Sequence, residues 1–268
     1  MLKKISIYSI ALLPLSLVAG PFIGELFLFS NFIIFIYYFL KDKLFYLLKS
    51  KLLKTFFLFW IYIVIISLFA ADTFVSIKAS FFYFRFALYT LSIVYFLTIV
   101  KNSIETIYTI YKYTLIFVVL DAFVQIFFGA DIFGLEPNSI NLMRISGPFG
   151  DKFILGSFLQ KILPVFIYLV LKKHHVEKKI KLLDLTIIIF TFAIIYRSGD
   201  RSALGLIILF SFLFFLINKS LRKKMMLILF LFFIISSAFS FQNPSIVKRT
   251  FSDTIGQFKG KYYEKFLD

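Results

Sequence analysis

Long apolar runs recur along almost the whole chain, separated by short lysine-rich segments, and this alternation restricts the fold more than any other feature. The runs have the length a helix needs to cross a bilayer core, roughly 17 to 25 residues for about 30 Å. A stretch such as 206–216, interrupted only by Ser211, would be apolar on both faces of a strand. A transmembrane barrel strand needs a polar residue at alternate positions, so helices are expected. Hydrophobic residues make up 60% of the chain and charged residues only 16%, too little polar surface to coat a soluble domain. A water-soluble enzyme is excluded, and the expected fold class is all-α, a polytopic transmembrane helical bundle.

Hydropathy and turn signals predict about nine spans, at 5–19, 24–40, 55–71, 81–100, 108–128, 153–171, 182–197, 202–218 and 225–241. Gly20 and Pro21 split the first apolar stretch in two, since both residues end helices readily. With that split and a cytoplasmic N-terminus, the lysine clusters at 41–54, 172–181 and 219–224 all fall inside, as the positive-inside rule requires. Merging the first pair would put the 41–54 cluster outside. Lys3 and Lys4 resemble the start of a signal peptide, but no small-residue cleavage site follows, so the first span is expected to be retained.

The net charge of +16 would point to nucleic acid in a soluble chain. Here the charge lies in loops between apolar runs, where it sets topology and meets anionic membrane lipid, and no nucleic-acid partner is expected. Cysteine is absent and the two histidines, His174 and His175, are adjacent, so thiolate and His-rich metal centres are excluded. The cytoplasmic segments hold no nucleotide loop and no catalytic triad.

Two expected external segments differ in kind. The first, 129–152, contains Arg144-Ile145-Ser146-Gly147-Pro148-Phe149-Gly150-Asp151. Its turn formers can aim backbone amides at an anion, and the Arg144 guanidinium can fork onto phosphate oxygens; the plainer alternative pairs Arg144 with Asp131, Glu136 or Asp151. The second is Tyr196-Arg197-Ser198-Gly199-Asp200-Arg201-Ser202-Ala203. A turn this short holds Arg197 and Arg201 at the membrane interface, with Ser202 where the amides of the next helix favour an anion. The alternative is snorkelling arginines with an ion pair to Asp200.

These residues resemble a family. The 144–151 motif, followed by Ile154-Leu155-Gly156-Ser157-Phe158-Leu159 and Pro164, is similar to the Arg-x-Ser-Gly-x-Phe loop and next helix of the O-antigen ligase and Wzy-type O-antigen polymerase superfamily. Ser198-Gly199-Asp200-Arg201-Ser202-Ala203 resembles that family's Gly-Glu-Arg turn, with Asp200 where many members have Glu, and Asp121-Ala122-Phe123-Val124-Gln125 resembles the helix end leading into the first motif. The likeness in layout covers about 1–250, with the motifs in about 115–205.

The resemblance implies a membrane glycosyltransferase of cell-surface polysaccharide or lipopolysaccharide biosynthesis in the bacterial inner (cytoplasmic) membrane. Such enzymes transfer or polymerise polyprenyl-diphosphate-linked oligosaccharide at the periplasmic face, with a glycan or lipid A core as acceptor. No cofactor is implied, because the lipid diphosphate is itself the leaving group. Its developing negative charge calls for fixed cations. Arg144 and Arg201 match the family's loop arginines and are expected to contact the diphosphate, with Arg197 as a third contact; Arg85 is expected to anchor its helix. The competing reading is a flippase for lipid-linked oligosaccharide, with the same arginines as a docking site. A third is an inactive membrane fragment.

The match departs at the C-terminus. Family members continue into a long external loop bearing a histidine and then further spans, whereas 242–268 stands where that loop begins, and both histidines fall on the expected inner side. The organisation expected is a multi-pass domain over 1–241 and the start of a truncated external loop over 242–268, leaving the catalytic base unassigned. Within the spans, Asp121 and Gln125 share a helical face and Lys161 lies mid-span. An Asp121–Lys161 pair supporting the loop between their helices is expected. A carrier would need more polar groups or broken helices at that depth. The abundant Phe and Tyr, 40 and 15 residues, are assigned to packing and interface anchoring.

Overall fold

The computed structural model describes residues 1–137, 144–177, 181–217, 222–242, 244–252 and 255–256. Among the described residues the regular elements are all helical: α1 (Leu2–Ala19), α2 (Pro21–Lys41), α3 (Lys51–Ser67), α4 (Thr73–Phe81), α5 (Arg85–Ile99), α6 (Ser103–Phe128), α7 (Leu155–Glu177), α8 (Leu182–Arg197), α9 (Arg201–Ile217), α10 (Arg222–Gln242) and α11 (Pro244–Val247). Each of the nine expected helices has a counterpart. Five stretches are long and apolar enough to cross a membrane: Leu2–Ala19, Pro21–Lys41, Thr73–Ile99, Ser103–Phe128 and Leu155–Lys173; α3, α9 and α10 contain shorter apolar helices. The chain divides into two compact units, Met1–Ile110 and Tyr111–Asp268, where the sequence suggested one domain to residue 241.

In the first unit Gly20, at φ 144°, breaks the chain between α1 and α2, and Pro21 opens α2, where its missing N–H costs nothing. The hairpin closes on a buried polar knot: Asn31 Nδ2 donates to the Ser6 carbonyl (3.1 Å), Ser6 Oγ (2.9 Å) and Ser9 Oγ (3.2 Å). Unsatisfied, these groups would be costly among apolar helices. The predicted span at 81–100 begins earlier, because α4 and α5 continue through a 3-10 turn at Phe82–Phe84. Trp60 Nε1 donates to the Ser80 and Phe81 carbonyls at 3.1 Å, engaging acceptors where the α-helical ladder tightens.

In the second unit α8 is the most enclosed helix, with every residue from Thr191 to Arg197 buried. It packs against α7 and α10. On α7 the buried face runs through Leu155, Leu159, Leu163 and Phe166, the one-face spacing of a helix. Lys161 lies on the opposite, exposed stripe with Val165 and Tyr168. The expected Asp121–Lys161 pair is therefore not formed: Asp121 is 0% exposed and its Oδ1 accepts the Ile132 amide at 2.9 Å instead. The buried acid that does meet a lysine is Asp184, 3.8 Å from Lys112 Nζ. The side chains of His174 and His175, and Tyr262 and Tyr263 in the tail, lie outside the described residues.

Candidate anion-binding site

The turn between α8 and α9 is built by three adjacent residues. Ser198 ends α8, its amide donating to the Ile194 carbonyl at 2.8 Å. Gly199 takes φ +67°, a left-handed conformation that glycine adopts without a Cβ penalty. Asp200 then caps α9, its Oδ1 accepting the Ala203 amide (3.2 Å) and the Ser202 hydroxyl (2.8 Å). This corrects the expectation that the amides opening α9 await an external anion. The carboxylate of Asp200 already occupies that place. Its other oxygen accepts Ser157 Oγ of α7 at 2.6 Å, so Asp200 is engaged by hydroxyls and an amide.

The 144–150 loop is held from α6. Gln125 Oε1 accepts the amides of Ser146 (2.9 Å) and Gly147 (2.8 Å), and its Nε2 donates to Ser146 Oγ at 3.2 Å. Gly147 has φ +54°, and a Cβ there would come within 3.2 Å of Leu155. One turn earlier on the same face of α6, Asp121 ties down Ile132, while Asp131 Oδ1 accepts the Phe133 and Leu135 amides at 2.9 and 2.7 Å. The Asp121/Gln125 face thus supports the loop, through backbone amides.

Loop and turn meet. Arg144 Nε donates to the Ser198 carbonyl at 3.2 Å, its Nη2 to the Phe153 carbonyl at 3.3 Å, and the guanidinium stacks 4.6 Å from the centre of the Phe153 ring. None of Asp131, Glu136 or Asp151 pairs with it among the described residues. The close approach is possible because α7 presents Gly156 to the turn. A Cβ there would stand 2.4 Å from Ser198 Oγ and 2.7 Å from the Asp200 Cβ.

A further arginine joins them that sequence reasoning left in the tail. Arg249, in the π-helical segment Lys248–Ser252 after α11, donates from Nε to the Gly199 carbonyl at 3.2 Å. Arg144 and Arg249 therefore grip consecutive carbonyls of one turn, and a Cβ added at Gly199 would touch both side chains, 3.5 Å from Arg249 Cδ and 3.6 Å from Arg144 Cγ. Arg201 is close enough to act on Arg144 electrostatically. Arg197, 8% exposed, ends α8 just before the turn.

Cations outnumber carboxylates around Arg144 among the described residues. Burial, then the neighbouring Arg249 and Arg201 cations, push the Arg144 guanidinium below its ordinary pKa against the opposing pull of Asp200. Burial works to raise the Asp200 carboxyl, but hydrogen bonds from Ser157, Ser202 and Ala203, with the Arg144 charge, outweigh it and hold the group below the ordinary carboxylate range. Among the described residues Arg144 thus feels the Arg249 and Arg201 cations beside the single carboxylate of Asp200, an arrangement that an anion relieves. Arg85 is paired with Glu25 at 2.9 Å within the first unit. Among the described residues no cluster suits a metal ion. No protein-family model, curated protein or solved structure matches the chain.

Proposed function

We propose that the chain is a membrane glycosyltransferase of the O-antigen ligase or polymerase type, acting on polyprenyl-diphosphate-linked glycan at the outer face of the bacterial cytoplasmic membrane. The observation that carries this reading is the meeting of the Arg144 loop with the Ser198–Arg201 turn, two motifs over 50 residues apart. In this reading the N-terminus is cytoplasmic and the nine apolar helices all span. Arg144, Arg201 and Arg249 hold the diphosphate, with Arg197 behind them.

The proposed chemistry is the one that the family resemblance implies. A sugar hydroxyl attacks the anomeric carbon, the bond to the lipid diphosphate breaks with inversion, the bonding pair leaves on the phosphate oxygen, and the hydroxyl proton passes to water. The negative charge growing there meets guanidiniums whose Nε groups are already fixed on the turn carbonyls. Such preorganised cations need little rearrangement as the charge develops.

The test measures glycan transfer from a polyprenyl-diphosphate-linked oligosaccharide in membranes carrying wild-type or variant chain. Arg144→Lys and Arg201→Lys each lower transfer about 100-fold at unchanged membrane level, since lysine keeps the charge but lacks the fork. Near-normal product from both overturns the assignment. Because the chain has no cysteine, Lys152→Cys and Lys101→Cys report sidedness directly. An impermeant thiol reagent added to intact cells modifies the first and spares the second, and the reverse pattern overturns the topology.

A further inference from the structure

We infer that the unit Met1–Ile110 binds an anionic phospholipid, with an acyl chain in a cavity between α3 and α5 and the phosphate at its lysine-flanked end. The cavity holds about 350 Å³, within the range of small-ligand sites. Ala87, Leu91 and Val94 line it from one stripe of α5, and Leu53 and Phe56 from α3. The small side chain of Ala87 leaves the hollow open where Leu91 and Val94 wall it.

Among the polar groups that line the cavity, Thr90 Oγ1, on an exposed residue of α5, is bound to the Phe86 carbonyl at 2.8 Å, so it offers little to a polar ligand. The hydroxyls of Tyr46 and Ser50 belong to the segment leading into α3, and Ser50 is flanked in sequence by Lys49 and Lys51. Both lysines and Lys54 are exposed, and none is ion-paired among the described residues. The nearby acid, Asp42, is bound to the Tyr95 hydroxyl and lies 3.8 Å from Lys3 Nζ. An apolar interior beside an uncompensated cationic segment suits a ligand with a hydrocarbon tail and an anionic head.

The test is lipid retention by the purified full-length chain. The chain is reconstituted in phosphatidylcholine vesicles containing phosphatidylglycerol, extracted in mild detergent and weighed by native mass spectrometry. One phosphatidylglycerol is retained in preference to phosphatidylcholine. The double variant Lys49→Gln/Lys51→Gln, altered only at exposed positions, lowers that preference about tenfold or more. Ala87→Phe, which fills the cavity, abolishes retention at unchanged helicity by circular dichroism; if it misfolds, the lysine pair decides alone. Equal retention of the two lipids, an unaltered preference in the lysine variant, or displacement of phosphatidylglycerol by equimolar polyprenyl phosphate overturns the proposal. This site is independent of the proposed transferase activity.

Discussion

In Met1–Ile110 several buried or half-exposed polar side chains close on one another, whereas in Tyr111–Asp268 they converge on the backbone of a loop and a turn. Arg85 meets Glu25, Asp42 meets Tyr95 and Lys3, and Asn31 meets Ser6 and Ser9. In the second unit Gln125 and Asp121 hold backbone amides, Asp200 caps a helix, and Arg144 and Arg249 hold carbonyls. Their guanidiniums are held by neutral carbonyls. Paired polar groups stabilise a fold; cations fixed on carbonyls also remain available to an anion.

The contrast breaks most readily at Gln125. Gln125→Leu strips the Ser146 and Gly147 amides of their acceptor, at about 1–3 kcal/mol for each buried amide. Thermal unfolding of the detergent-solubilised chain registers the loss, and Gln125→Glu, which keeps an acceptor, restores much of it. An unchanged midpoint for Gln125→Leu would remove the loop's support from α6.

Gly156→Ala comes next. Its methyl group must push Ser198 and Asp200 aside, an overpacking cost of about 1–3 kcal/mol. Because the turn moves with them, the variant also loses transfer activity; full activity would show that the turn tolerates displacement.

Asp200→Asn is a smaller change, about 0.5–2 kcal/mol for a weakened cap. Its pH dependence has a definite sign. The folded carboxyl titrates below the ordinary value of 3.8, so the carboxylate's contribution is complete above that value and disappears as pH falls through the folded pKa. The gap in unfolding midpoint between wild type and Asp200→Asn is therefore constant from about pH 5 to 8 and closes below about pH 4. A gap that persists in acid would assign the effect to geometry.

The smallest effect belongs to the first unit. Both partners of the Glu25–Arg85 pair are substantially exposed, so Glu25→Gln shifts stability by about 0–1 kcal/mol. Transfer activity stays at the wild-type level, and a large loss would tie the first unit to the site.

The turn at 198–201 was legible as a turn because a left-handed glycine and a capping aspartate are local signals. The same locality misled the assignment of the amides opening α9: the residue that starts the helix is also the anion that caps it. Lys161 was misjudged because depth along a span says nothing of direction, and one residue's rotation on α7 separates the buried face from the exposed stripe. Arg249 passed unnoticed because its partner, Gly199, lies 50 residues earlier, and no periodicity carries information over that distance.

Apolar run length and the absence of alternation determined by themselves that this chain is helical and suited to a membrane, since lipid leaves the backbone few ways to satisfy its own hydrogen bonds. Glycine, proline and aspartate placed the breaks. Which arginines meet, which carboxylate is already engaged and where a hollow remains were decided only in three dimensions. Those outcomes depend on how helix faces rotate and pack against one another, a property of pairs of helices that no single segment encodes.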